Sequence, residues 1–202
     1  MFMTLQALAF LTMVQVVQPP ATTDPMICAF DPDAQMTRLW ADYEFDHERP
    51  GGPMELGDRG CYRAAAEVSR AYLARGPLLG VREQAITQLH MARNLAYAGD
   101  ETAAAQAAAS ARRSDQRSAQ EIPLDWNSYV QGLYAFLIKD RALLEANRER
   151  LLARARQGFE GDAMNGRSLT ALSVCFDRNY TRAMIDEACW ADTPVKAAGE
   201  AQ

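Results

Sequence analysis

Four turn signals divide this chain at a nearly constant interval, and that interval constrains the fold more than any other feature. Each lies between two segments whose apolar residues follow helical spacing: Gly60–Cys61, Gly99–Asp100, Lys139–Asp140 and Asn179–Tyr180. Their separation of about 40 residues is the length of a helical hairpin repeat. Because one hairpin cannot bury its apolar face alone, such hairpins stack side by side. The sequence therefore predicts an all-α fold, an αα-hairpin superhelix of three to four hairpins.

The clearest helix in this pattern is the segment DWNSYVQGLYAFLIKD, residues 125–140. Asp125 is a candidate N-cap, because its carboxylate can accept hydrogen bonds from the free N–H groups of a first helical turn. Apolar residues then recur on one helix face, which predicts a helix with one side in the core. They are Trp126, Tyr129, Val130, Leu133, Phe136 and Leu137.

The second unit, QLHMARNLAYAGDETAAAQAAASARRSD (88–115), resembles a tetratricopeptide repeat. Met91 and Ala92 form the large-then-small pair of its first helix, and Leu95 is the next buried position. Ala104 and Ala111 are the small packing residues of its second helix. The cysteine-flanked arrangement, with DWNSYVQGLYAFL and CFDRNY, is also similar to small exported bacterial proteins of tetratricopeptide-like type. The resemblance implies a helical repeat domain over 60–190 and implies no activity.

The N-terminal segment LQALAFLTMVQVV (5–17) is apolar, and the first charged side chain is Asp24. A membrane-spanning helix needs about 20 apolar residues, so this segment is short for one. Its length and the helix-breaking prolines 19 and 20 favour a signal peptide over 1–23. An uncleaved membrane tether and a cytosolic chain are the alternatives. We expect an irregular segment over 24–59 with one short helix near 34–43, and a disordered tail over 191–202.

The chain has four cysteines, and an even number in an exported chain indicates two disulfides. Three pairings are open, and proximity along the chain favours Cys28–Cys61 and Cys175–Cys189. In a regular hairpin the second pair would be offset by roughly 10 Å along the helix axes, farther than a disulfide spans. We therefore expect a short last helix that folds back.

The residues give little support for catalysis, metal binding or phosphate binding. A catalytic thiol needs a nearby imidazole, and the only histidines, His47 and His90, have no recognisable motif around them. The cysteines lack the close pair typical of zinc sites, and no glycine-rich phosphate loop follows a strand. We expect no catalytic residue, no metal and no cofactor. The carboxylate pairs Asp31/Asp33 and Glu44/Asp46 are interpreted as a solvated loop.

The best candidate for binding is a polar stripe on the helix predicted over 81–98. His90, Arg93 and Tyr97 share one face at i, i+3 and i+7. The resemblance to tetratricopeptide repeats implies that this face lines the concave surface, where it could hold an acidic or C-terminal peptide group. The alternative is a solvated face with a packed tyrosine. The run of arginines at 148, 150, 154 and 156 is interspersed with glutamates and predicts a solvated face.

The net charge of −5 argues against nucleic acid as a partner. The sequence thus predicts a non-catalytic protein- or peptide-binding module exported to the bacterial envelope, periplasmic or secreted, with a protein or peptide partner. No stable membrane span is expected after removal of the signal. A structural, self-assembling envelope protein is the alternative, and an enzyme of unknown type is a weaker one.

Overall fold

A computed structural model describes residues 28–116 and 123–191. Within these ranges the chain forms eleven helices and no strand, which confirms the predicted all-α class. They are α1 (Pro32–Gln35), α2 (Trp40–Glu44), α3 (Pro53–Asp58), α4 (Tyr62–Arg75), α5 (Val81–Tyr97), α6 (Glu101–Ser110), α7 (Trp126–Leu137), α8 (Arg141–Ala155), α9 (Glu160–Val174), α10 (Tyr180–Ile185) and α11 (Glu187–Trp190). The predicted signal peptide and nearly all of the predicted tail lie outside the described residues.

Consecutive helices from α3 onward pack against each other and form four hairpins: α3–α4, α5–α6, α7–α8 and α9–α10. Beyond these sequential contacts, α7 also packs against α9, and α10 reaches back to α5. The predicted hairpin count is therefore confirmed. The contact between α10 and α5 brings the end of the domain against its second hairpin.

The turn at Gly99 shows why the chain reverses where the sequence predicts it. Gly99 has a positive φ of 82°. This left-handed conformation, which glycine adopts without steric cost, lets the Asp100 N–H donate to the Leu95 carbonyl at 2.9 Å and close α5. The Asp100 carboxylate then accepts a hydrogen bond from the Ala103 N–H at 3.1 Å and caps α6. Two adjacent residues thus end one helix and begin the next.

The next turn repeats this geometry with a lysine in place of the glycine. Lys139 has a φ of 61°, and the Asp140 N–H donates to the Ala135 carbonyl at 2.8 Å. The Lys139 ammonium group donates to the carbonyl oxygens of Phe176 at 3.2 Å and Arg178 at 2.9 Å. These contacts offset the strain of a left-handed non-glycine residue.

Small residues allow the helices of the stack to approach closely. Ala104, Ala108 and Ala111 in and after α6 are fully buried. In α7, a Cβ at Gly132 would lie 2.3 Å from a methyl group of Leu169, so the lack of a side chain is what admits α9. The apolar stripe of α7 lies in the same core, with Tyr129 and Phe136 buried and Trp126 packed against its edge.

Both predicted disulfides are present. Cys28 pairs with Cys61 and Cys175 with Cys189, with Cα–Cα distances of 5.4 and 5.6 Å. The second pair closes because α10 and α11 are short and fold back onto α9, as the sequence predicts. Two disulfides indicate an oxidising, extracytoplasmic location. Among the described residues, no helix combines the length and the apolar content that a bilayer crossing requires.

The region predicted to be irregular contains three short helices. The single helix expected near 34–43 is interrupted, because Leu39 adopts an extended conformation (φ −63°, ψ 146°) before α2 begins. Arg38 is turned inward instead: its guanidinium donates to Gln35 and Asp46, both at 2.9 Å, and its carbonyl accepts from the Tyr72 hydroxyl at 2.8 Å. Partners distant in sequence therefore decide the local conformation.

The arginine run of α8 also differs from expectation. Arg154 is only 6% exposed and pairs with Asp162, which is fully buried. Arg150 reaches the buried Asp125 at 2.6 Å. The predicted solvated face is therefore wrong for Arg154, because α9 supplies a carboxylate that the sequence pattern does not reveal.

Candidate functional site

A pocket of about 230 Å³ lies between α3, the start of α4 and the second half of α5. Its lining combines one apolar wall with several polar side chains: Pro53, Met54, Gly57, Asp58, Tyr62, His90, Arg93, Asn94 and Tyr97. A concave site with convergent polar groups is the usual form of a ligand-binding site.

The structure brings all three predicted binding residues into this pocket. His90, Arg93 and Tyr97 line it together, as their spacing on one helix face requires. Asn94 joins them four residues after His90, and the same helical spacing would have identified it. The opposite wall, formed by α3 and Tyr62, was missed because no local pattern indicates that α3 packs there.

His90 is held by a buried carboxylate. Its Nδ1 lies 2.6 Å from the Oε1 atom of Glu44, whose side chain is fully buried. The other oxygen of Glu44 accepts a hydrogen bond from the Thr87 hydroxyl at 2.6 Å, and that hydroxyl accepts one from the Trp40 indole N–H at 3.0 Å. The interpretation of Glu44 as part of a solvated loop is therefore wrong. The preceding aromatic residue, Tyr43, which is fully buried, was the available sign of burial.

This contact fixes the orientation of the imidazole ring. An ionised carboxylate only accepts hydrogen bonds, so Nδ1 carries the proton that it shares with Glu44. The Nε2 atom of His90 has no hydrogen-bond partner among the described residues. The side chain is 20% exposed, and its ring lines the pocket.

Arg93 has no carboxylate partner among the described residues. Its guanidinium lies near the Tyr129 and Tyr180 side chains, and no Asp or Glu of the described ranges lies within ion-pair distance. Its Nε is buried and has no hydrogen-bond partner. The neighbouring oxygens of Tyr129 and Tyr180 raise the pKa of Arg93, against the opposing effect of burial. The guanidinium is therefore always charged, and tyrosine hydroxyls alone do not neutralise it.

Helix α10 packs against α5 next to Tyr97, one of the residues that line the pocket. Tyr180 is buried, and its ring lies 5.0 Å from that of Tyr97 in an edge-to-face arrangement. The Thr181 hydroxyl donates to the Tyr97 carbonyl at 3.1 Å, and the Tyr180 N–H donates to Glu101 at 2.6 Å. The chain's own C-terminal helices thus occupy this part of the surface that the sequence predicted to be open and concave. The pocket lined by His90, Arg93 and Tyr97 stays accessible next to α10.

Aromatic and charged groups form the rim. Tyr62 stacks on Tyr97 with 4.8 Å between ring centroids, and Phe45, which is half exposed, lies edge-on to the His90 ring. Asp58 pairs with the exposed His47 at 2.6 Å. His47, which the sequence left without a role, therefore stands next to a pocket residue.

The lining side chains include a candidate base and a cation. His90 with Glu44 has the geometry of a base and its orienting carboxylate, but the lining contains no serine, threonine or cysteine that could serve as a nucleophile. All four cysteines are in disulfides. Within residues 28–116 and 123–191, no three His, Cys, Asp or Glu side chains converge as metal ligands would. An unneutralised cation with hydrogen-bond donors beside it is suited to hold an anion.

Comparison of the chain with protein-family models, with curated proteins and with solved structures finds no match. The assignment of function therefore depends on the geometry of the pocket.

Proposed function

We propose that this protein is a non-catalytic, tetratricopeptide-like module that binds an acidic group of a protein or peptide partner in the pocket between α3, α4 and α5. The observation that carries the proposal is Arg93, a residue that lines the pocket and whose guanidinium has no carboxylate partner among the described residues. Partial burial of a cation without a counter-ion is unfavourable, and a ligand carboxylate would offset that cost.

Several other lining residues support the same ligand. Asn94 and the two tyrosine hydroxyls of Tyr62 and Tyr97 add hydrogen-bond donors, and Pro53 and Met54 offer an apolar surface for the rest of a bound residue. Because α10 covers the inner side of α5, the proposed ligand inserts one group into the pocket and does not run along the stack.

The proposed setting is the bacterial envelope. The two disulfides require an oxidising compartment, and the apolar segment 5–17 followed by two prolines is typical of a signal peptide. Export of the module to the periplasm or out of the cell accounts for both features.

The test is binding of labelled decapeptides that carry Asp and Glu, compared with peptides that carry Asn and Gln at the same positions. The wild-type chain should bind the acidic set preferentially, and Arg93→Met should weaken that binding at least about tenfold, as loss of a charge-assisted contact does. Arg70→Met, at an exposed position of α4, is the matched control and should leave the affinity unchanged. Equal binding by the Arg93→Met chain, or no binding of either set, would contradict the proposal.

A further inference from the structure

We propose that ligand capture at this pocket is coupled to proton uptake by His90, with the buried Glu44 as the positioning residue. This inference rests on the proposed anion-binding function and adds its regulation. Its basis is the 2.6 Å contact between Nδ1 of His90 and the fully buried Glu44 carboxylate, which leaves Nε2 as the ring nitrogen without a partner in the part of the chain that the structure describes.

The first step concerns the neutral ring. Because Nδ1–H points to Glu44, a neutral His90 presents only the lone pair of Nε2. A lone pair repels a carboxylate oxygen. In this state the pocket offers an anion the charge of Arg93 and no second charged donor.

The second step concerns the protonated ring. Proton uptake turns Nε2 into an N–H donor one helical turn before Arg93 on the same wall. The imidazolium then lies between the buried Glu44 carboxylate and the bound anion, so its charge is compensated on both sides. A ligand that binds the protonated form more tightly raises the proton affinity of the ring, and by linkage its own affinity rises as pH falls.

The groups that face His90 come from each surrounding helix. They are Glu44 from α2, Asp58 from α3, Tyr62 from α4, and Arg93 and Tyr97 from α5 itself. Asp58 is paired with His47, a second histidine in the same region. Any pH effect at the pocket must therefore be assigned to one of the two histidines by substitution.

The experiment uses the full chain and trifluoroacetate, a carboxylate that stays ionised throughout, with its 19F resonance as the readout. Between pH 7.5 and 5.5 the dissociation constant of the wild-type chain should fall about tenfold, the effect of one charged hydrogen bond. His90→Gln should remove this pH dependence, and His47→Gln should retain it. Residual binding by His90→Gln through Arg93 is expected at both pH values.

Two outcomes separate the inference from the function on which it rests. No trifluoroacetate binding by the wild-type chain at either pH contradicts both proposals. Binding with the same affinity at both pH values, or a pH dependence that survives His90→Gln, contradicts proton coupling alone.

A separate measurement tests whether Glu44 positions the His90 ring. In the 15N spectrum of the wild-type imidazoles, neutral His90 should carry its proton on Nδ1, and comparison with the His47→Gln chain identifies the signals of His90. A neutral His90 with its proton on Nε2 would contradict the assignment of Glu44. This measurement needs no substitution of the buried Glu44, so it does not depend on whether a Glu44 variant folds.

Discussion

The Arg93 side chain on α5 lies beside the Tyr180 side chain on α10, where these two helices pack against each other. Arg93, which has no carboxylate partner in the described part of the chain, thus lies between the pocket and the folded-back C-terminal helices. Arg93 is therefore both a part of the packing and the centre of the proposed binding site, and the two roles can be separated by experiment.

Tyr180→Phe removes the hydroxyl oxygen that lies near the Arg93 guanidinium. It should lower the free energy of unfolding by about 1–3 kcal/mol, because the guanidinium loses a polar neighbour. In an Arg93→Met background the same change should cost less, since no guanidinium remains to be left without a partner. Urea unfolding of the four proteins measures the coupling. An equal cost in both backgrounds would show that the two side chains do not interact.

Substitutions of Lys139 test the energetic cost of a left-handed non-glycine residue at a turn that ends a helix. Lys139→Ala and Lys139→Gly both remove the ammonium contacts with the carbonyls of Phe176 and Arg178, but only glycine relieves the positive φ. The glycine variant should be the more stable of the two by about 1 kcal/mol. Gly99→Ala, the reverse change at the equivalent turn, should destabilise by a similar amount. Identical midpoints for the two Lys139 variants in denaturant would refute the strain argument.

The disulfides should differ in their contribution according to the length of chain that each one closes. Sequence separations of 33 and 14 residues correspond to about 4 and 3 kcal/mol in the chain-entropy account. Guanidinium unfolding of the Cys28→Ser/Cys61→Ser and Cys175→Ser/Cys189→Ser chains measures both losses. Peptide mapping without reductant should find these two pairs and no others, and any crossed pair would contradict the structure.

Protonation of Asp125 should account for part of the acid unfolding of the chain. Burial raises the pKa of Asp125, but hydrogen bonds from Arg150, Ser128 and Gln116 outweigh burial and hold the pKa below its usual range. Because the unfolded value is about 3.9, this group contributes stability above about pH 4, and that stability is lost as pH falls through the lower folded value.

The measurement is urea unfolding of the wild-type and Asp125→Asn chains between pH 7 and 2.5. Asp125→Asn should reduce stability at pH 7 and flatten the decline below pH 4. A decline of the same steepness in both proteins would assign the acid transition to other carboxylates.

The hairpin stack was predictable because its signals are local. Glycine at position 99 and aspartate at positions 100, 125 and 140 specify turns and caps through contacts within a few residues. The stripe of His90, Arg93 and Tyr97 was predictable for the same reason, since helical spacing alone places them on one face. The favoured pairing of the cysteines followed from proximity along the chain, and the fold-back of the last helix followed from the offset that a regular hairpin would impose.

The rest of the site depends on contacts between distant residues. Glu44 meets His90 across 46 positions, and Trp40 meets Thr87 across 47. No periodicity in the sequence indicates that α2 contacts α5, so the carboxylate of Glu44 was interpreted as solvated. Arg154 was misread in the same way, because its partner Asp162 lies on the next helix.

Site-specific photo-crosslinking in intact cells that export the protein tests the central claim most directly. A photoreactive residue in place of Met54, which lines the pocket, should form an adduct with a partner, and Arg93→Met in the same chain should abolish it. The same residue in place of the exposed Met164 on α9 is the control and should form no such adduct. No adduct at position 54, or one that persists in the Arg93→Met chain, would contradict capture of a partner through this pocket.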